Sequence, residues 1–395
     1  MKGFDVAVVG GGAAGIMAAI SAARRGRSVT ICERLPRIGK KILASGGGRC
    51  NLSNDRIDES IYNEAGRRLV RSVLSRFGKD AILKFFDDLG LFVYSDEGRI
   101  FPVTNQSSSV LAVLDSELKS RGVDVRTGFG VTEIAEDNSG FLLRSHTGGA
   151  VRCSKVILAG GGRSYPALGS DGSAYKLAMR FGHGLVEPVP SAVPVTVRDP
   201  LCHLLQGQKI LAKARAMEGG RVISEASGEA LFTRYGLSGT AILDISESLS
   251  IAVNRRHSKD VSISLDMAPF LDHRTLAADL EKRSRKAVPP DDLLAGLLPN
   301  KFSRAFKGLL NGNDFDKIAY RLKDWRFRVS GTRGWNEAEF TSGGIDTSGL
   351  ALDTLESKLK SGLFMAGELL DVQGPRGGYN LAWAWASGFT AGLAA

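Results

Sequence analysis

Three glycines, Gly10, Gly12 and Gly15, stand where a short apolar run (Phe4 to Val9) gives way to an Ala-rich stretch ending near Arg25. That spacing suits a pyrophosphate. The first glycine turns the chain tightly, the second lets backbone approach the anion, and the third lets helix and sheet pack closely. The amides of Ala13 and Ala14, and the positive end of the helix they begin, then face the phosphates. Glu33 ends the next strand-like run (Ser28 to Cys32), 18 residues after Gly15, with Arg34 beside it. A carboxylate at that interval reaches an adenosine ribose.

This motif alone does not separate NAD from FAD. Two later segments do. Val156 to Gly162 is a buried-looking strand that runs through Ala159 into Gly160 and Gly161, as where a chain returns beneath a nucleotide. Gly362 to Glu368 is a strand that enters Gly367-Glu368, a pair suited to a carboxylate bonding the ribityl chain of a flavin. A first βαβ near the N-terminus and a closing strand and helix near the C-terminus make the fold class α/β. The plan is a two-dinucleotide, glutathione-reductase-type FAD-binding Rossmann domain. No second GxGxxG follows, so NADH or NADPH is expected only as an external electron donor.

Two further segments carry chemistry. From Ser45 to Asn54, the consecutive Gly46, Gly47 and Gly48 expose amides, and Arg49 adds positive charge, making an anion cradle with Ser45 and Asn51. Gly377-Gly378-Tyr379-Asn380 precedes a helix expected over 381–392. A helix start at Gly378, Tyr379 and Asn380 suits the edge of a flavin where negative charge gathers on reduction. An ordinary start with Asn380 as cap fits equally. Cys50 has the one polar, basic setting among the four cysteines, and Arg49 would lower its pKa as a reactive thiol or catalytic proton donor needs. A small packing residue is the other reading. Cys32 and Cys153 read as core, His183 as a helix cap, and the run Lys282 to Lys286 as a solvated helix face. There is no CxxC and no metal-ligand spacing, so no metal is expected.

Lys41-Ile42-Leu43-Ala44-Ser45-Gly46-Gly47-Gly48-Arg49-Cys50-Asn51-Leu52-Ser53-Asn54 resembles the signature of the bacterial HI0933-like flavoproteins, the family that includes the BaiN-type reductases. So do Gly161 to Pro166, Leu231 to Gly239 and Gly374 to Asn380, in the family's order. The resemblance implies non-covalent FAD, with Lys41 and the loop after it near the cofactor, and a nucleotide fold interrupted by a β-barrel and a helical lid. It also implies reduction of carbonyl-conjugated C=C bonds, in steroid-like acids or in uracil of ribosomal RNA. The chain departs from the pattern at Thr240, at Leu168 to Tyr175 and at Leu381, and the last two departures bear on substrate preference.

The elements that position these residues follow from periodicity. One helix is expected from Glu64 to Leu89, another from Val110 to Arg121, then a strand Val123 to Arg126. An antiparallel excursion follows at Val131 to Ala135 and Phe141 to Ser145. The FAD-binding domain is then 1–190 with 341–395. The insertion is 191–340, β-rich over 191–268 (with strands at Ala192 to Val197 and Ala241 to Ile245) and helical over 269–330. The net charge of the 395 residues is +10, and 191–340 holds 23 Lys and Arg against 18 Asp and Glu. Half of the excess charge therefore lies in the insertion, which favours a phosphate-bearing partner. No apolar run reaches the ~20 residues of a membrane helix, and no secretory leader is visible, so a cytoplasmic setting is expected.

Two kinds of function remain. One is an FAD-dependent reductase passing hydride from flavin N5 to a conjugated C=C bond, in an RNA uracil or a small enone; amine oxidation is its enzymatic alternative. The other is a non-catalytic RNA- or ribosome-binding flavoprotein. The sequence leaves the oligomeric state open.

Overall fold

The computed structural model describes residues 3–137, 140–312 and 314–395. The chain forms two compact units, one of 1–188 with 340–395 and one of 189–339. In the first, parallel strands Asp124–Arg126, Val29–Cys32, Phe4–Val9 and Ala150–Leu158 lie side by side in that order. The long fourth strand is shared. Its first half pairs antiparallel with Gly140–Ser145, and its last three residues pair parallel with Leu363–Met365. Val6, Ala7 and Val8 are fully buried, as both-face burial of a parallel sheet requires.

The helix Ala13–Arg24 leaves the first strand and packs against Tyr379–Ala394, the closing helix. The closing helix is apolar nearly all round, the pattern of a fully enclosed helix. Two indoles pin it to site loops: Trp383 Nε1 donates to Gly367 O (3.2 Å) and Trp385 Nε1 to Leu52 O (3.1 Å).

The single helix expected from Glu64 to Leu89 is two, Arg67–Arg76 and Lys79–Asp88. The break falls at Phe77-Gly78. Gly78 is extended (ψ −167°), and a Cβ there would meet Leu74 O at 2.7 Å.

In the second unit, six strands close a barrel among the described residues: Val195–Val197, Gly236–Ser238, Arg221–Thr233, Lys209–Glu218, Val261–Asp266 and Trp325–Thr332. Phe232, buried in it, meets Phe327 of the last strand and Phe302 of the helical segment edge-on (ring centroids 6.1 and 5.5 Å apart), so aromatic rings tie the helical segment to the barrel. Two expectations fail here. Ala241 to Ile245 is not a strand but part of the helix Thr240–Ser250, which buries Ala241, Ile242, Ile245 and Leu249 at helical spacing. The span 269–330 is not helical to its end: in Trp325–Thr332 buried Phe327 and Val329 alternate with exposed Arg326, Arg328 and Ser330.

Candidate active site

The glycine turn is shaped for close approach. Gly10 has φ +105°, and a Cβ there would stand 2.6 Å from Ala159 O; at Gly15 it would stand 1.9 Å from Gly10 O. At Gly12, by contrast, a Cβ would meet nothing within 4 Å, and the helix Ala13–Arg24 begins there with no side-chain cap. An open space above an uncapped helix start fits a pyrophosphate. Glu33 lies at the turn, 8% exposed. Its Oε2 accepts from Gly11 N (2.7 Å) and its Oε1 from Leu35 N (2.8 Å). Each oxygen keeps a lone pair for a further donor. Arg34 is turned elsewhere, into an ion pair with Asp171. Burial alone would raise the Asp171 carboxyl, but hydrogen bonds from Arg34 and Ser173 outweigh it and hold its pKa below 3.8.

Beside this turn lies a polar network that the sequence did not foretell in full. Lys41 Nζ sits 2.5 Å from Glu368 Oε2 and 2.6 Å from Ser164 Oγ. Glu368 Oε1 accepts from Ser164 Oγ and from Thr341 N, both at 2.8 Å. Thr341 Oγ1 in turn accepts from the amides of Arg163 (2.8 Å) and Ser164 (3.2 Å). Gly161 and Gly162 leave the room for this: a Cβ at Gly162 would stand 2.3 Å from Thr341 Oγ1. Gly160 likewise touches Ala174, and Gly367 (φ +75°) touches Ala14, which ties the Glu368 turn to the start of the first helix. Ser164 was missed although it lies in the Gly161 to Pro166 segment, and Thr341 because no motif marks it; they join the site only through chain closure. Tyr175, missed too, is 4% exposed with a hydroxyl that has no protein partner. Burial and the nearby Glu368 charge push its phenol far up, so it stays a neutral donor.

The Ser45 loop runs through the left-handed region at Gly46, Gly47 and Gly48 (φ +58°, +66°, +88°), and Gly47 and Gly48 face open space. Ser45 Oγ is spent on Ile42 O (2.7 Å), and the Arg49 guanidinium lies 4.3 Å from the Phe101 ring centre. Asn51 joins the loop to the closing helix, its Nδ2 donating to Ser53 O (2.9 Å) and its Oδ1 accepting from Gly378 N (3.1 Å). Asn380 does not cap that helix; its side chain accepts from Gly374 N (2.9 Å) and donates to Gly374 O (2.8 Å), clasping the preceding loop. Tyr379 holds the same loop through Tyr62, whose hydroxyl donates to Tyr379 O (2.9 Å).

Cys50 corrects an expectation. It is fully buried in the left-handed conformation (φ +62°), and burial pushes its thiol up to about 11, against a weaker lowering by Ser45. Arg49 does not activate it. His183 is buried, with Nε2 2.7 Å from Ser357 Oγ. Among the described residues no group of His, Cys, Asp and Glu is arranged to hold a metal, and no helix is long and apolar enough to cross a membrane.

The family described as HI0933-like protein Rossmann domain matches residues 4–394. The chain is 36% identical to a 3-dehydro-bile acid delta(4,6)-reductase of Clostridium scindens, covering 99% of this chain and 98% of that protein. It is 32% identical to a ribosomal RNA dihydrouridine synthase of Escherichia coli, covering 98% and 96%. Among solved structures it resembles a 3-ketosteroid delta1-dehydrogenase from Sterolibacterium denitrificans (TM-score 0.53, 14% identity, 99% of each chain). It also resembles the open conformation of a flavocytochrome c3 fumarate reductase (TM-score 0.51, 16% identity, 99% of this chain and 78% of that one). At such identities the likeness is one of fold.

Proposed function

The chain belongs to the HI0933-like family of FAD-dependent oxidoreductases, and from that premise we propose that it reduces a C=C bond conjugated to a carbonyl, with uracil in RNA as substrate. The observation that carries the reaction class is the agreement of two relatives matched nearly end to end. A delta(4,6)-reductase acting on a 3-dehydro-bile acid saturates bonds conjugated to the 3-oxo group. A dihydrouridine synthase saturates the uracil bond conjugated to its C4 carbonyl. RNA is favoured by the basic insertion. The relative at 36% identity favours the second reading, a small enone.

Bound FAD supplies the hydride chemistry. The chain's own residues hold it: Gly10, Gly12, Ala13, Ala14 and Gly15 present backbone and helix dipole to the pyrophosphate, and Glu33 accepts from ribose. Ala159, Gly160 and Gly161 keep the floor free of side chains. Lys41 with Glu368 offers donor and acceptor to the ribityl chain, and Arg34 remains at the rim with Asp171. The Ser45, Gly46, Gly48, Arg49, Cys50 and Asn51 loop and the helix start at Gly378, Tyr379 and Asn380 set amides and positive dipole against negative charge on the cofactor. NADH or NADPH from solution is the proposed electron donor.

The test is anaerobic. Purified protein should be yellow, release FAD on denaturation and be bleached by NADH or NADPH. A uridine-containing ribosomal RNA fragment should then restore the yellow colour and gain two hydrogens by mass spectrometry. Reoxidation by a conjugated 3-oxosteroid but not by RNA selects the enone reading. A flavin that resists every reductant sinks the enzymatic proposal.

A further inference from the structure

A cleft of about 460 Å³ opens in the barrel unit, with polar lining from Arg198, His257, Ser258, Lys259, Arg328 and Ser330. No Asp or Glu lines it. Arg328 and Ser330 are two residues apart on the outward face of Trp325–Thr332. His257 and Lys259 follow a π-helical turn, Ile251–Arg255. That turn is braced to the strand, because Asn254 Nδ2 donates to both Ser250 Oγ and Thr332 Oγ1 at 2.9 Å. His257 itself is held left-handed (φ +55°). A π-turn and a left-handed non-glycine residue both cost local energy and concentrate at functional positions.

Several cations elsewhere in the unit are neutralised by a carboxylate. Arg256 pairs with Glu218, Arg326 with Asp324, and Arg283 and Arg285 pair with Asp279 and Glu281 along their own helix. Arg198, Lys259 and Arg328 have no carboxylate partner among the described residues. Three cations gathered without a counter-charge repel one another and raise a positive potential over the cleft. They come from three separate chain segments, more than a single phosphate requires, and two serine hydroxyls add neutral donors.

We propose that this cleft grips successive phosphates of the RNA substrate. The proposal rests on the RNA reading above. Apart from the His257 imidazole its lining is cations, hydroxyls and aliphatic side chains, so the contact holds phosphates and positions the RNA without reading its sequence.

The experiment measures binding of a short single-stranded, uridine-containing RNA by fluorescence anisotropy across a salt series. It uses the FAD-loaded wild-type protein, a triple variant (Arg198→Ala, Lys259→Ala, Arg328→Ala) and the single variant Arg326→Ala. Single strands give a log–log salt slope of roughly 0.7 per phosphate contact, so the triple variant should lose about 2 from the slope. Arg326→Ala, already paired with Asp324, should leave it unchanged. Thermal melts verify that the triple variant is folded. Wild-type binding with an unchanged slope in the folded triple variant overturns the cleft while leaving the RNA reading standing. An equal effect from Arg326→Ala overturns it also, since the charge would then act diffusely. No binding by the wild type at low salt removes both. Titration with inorganic phosphate and AMP completes the set: tight binding of either, lost in the triple variant while the RNA slope persists, would reassign the cleft to a small anion.

Discussion

Gly388 faces the Ala14 carbonyl so closely that a Cβ there would stand 2.2 Å from its oxygen, and Gly392 stands in the same relation to Ala18 at 2.1 Å. Backbone therefore rests on backbone where the closing helix meets the helix Ala13–Arg24. Gly388→Leu should force the helices apart at a cost of about 3 kcal/mol or more. The expected result is a large fall in melting temperature and protein purified with little FAD. A yellow variant of normal melting temperature would mean that the helix start does not depend on this seam.

Gly12 and Gly15 separate binding from folding. A side chain at Gly12 enters open space, so Gly12→Val should fold and yet remain colourless, whereas Gly15→Val meets Gly10 O and should fail to fold. Circular dichroism with flavin absorbance checks both. FAD retained by folded Gly12→Val would refute the pyrophosphate assignment.

Lys41→Ala leaves the part-buried Glu368 carboxylate without its cation, although Ser164 and Thr341 still donate to it. The expected cost is about 1–3 kcal/mol in denaturant unfolding. Adding Glu368→Gln should recover part of that loss, because the uncompensated charge is gone. A strictly additive double variant would deny the coupling.

Cys50→Ala removes a thiol that burial keeps protonated. We expect normal FAD content and a substrate-dependent flavin reoxidation rate within about twofold of wild type. A drop of tenfold or more, with FAD retained, would restore the thiol as proton donor.

The Arg34–Asp171 pair makes a pH-dependent contribution. Asp171 is held below its ordinary 3.8 in the folded chain, so its stabilisation is fully present above that value. It is lost as pH falls through the lower folded value. Melts of wild type and Asp171→Asn should differ at neutral pH and converge in acid. A difference that persists unchanged in strong acid would assign the effect to packing.

What could be read beforehand divides along a physical line. Gly10 and Gly15 were legible because a backbone requirement is written directly in residue type, and Glu33 because a strand length fixes its distance. Thr341 was not: it reaches Arg163 across 178 residues, and nothing local marks it. Ala241 to Ile245 misled because a short run with four apolar residues around Asp244 serves helix and strand alike. Trp325–Thr332 hid its alternation under four basic residues nearby and helices before it. Cys50 has polar neighbours in sequence and apolar ones in space, and only packing distinguishes them.

The seam between Ala14 and Gly388 also sets an order of events in the cell. While the chain is being made, Ala14, Ala18 and Ser21 on the first helix emerge long before Gly388, Phe389 and Gly392 exist to cover them. The nascent polypeptide must carry this face uncovered until residues 388–392 have been made, the kind of distant pairing that slows folding and invites aggregation. Its flavin can be captured only after translation has passed the closing helix. Ribosome-bound chains halted before residue 388 should accordingly recruit holdase chaperones and contain no bound FAD.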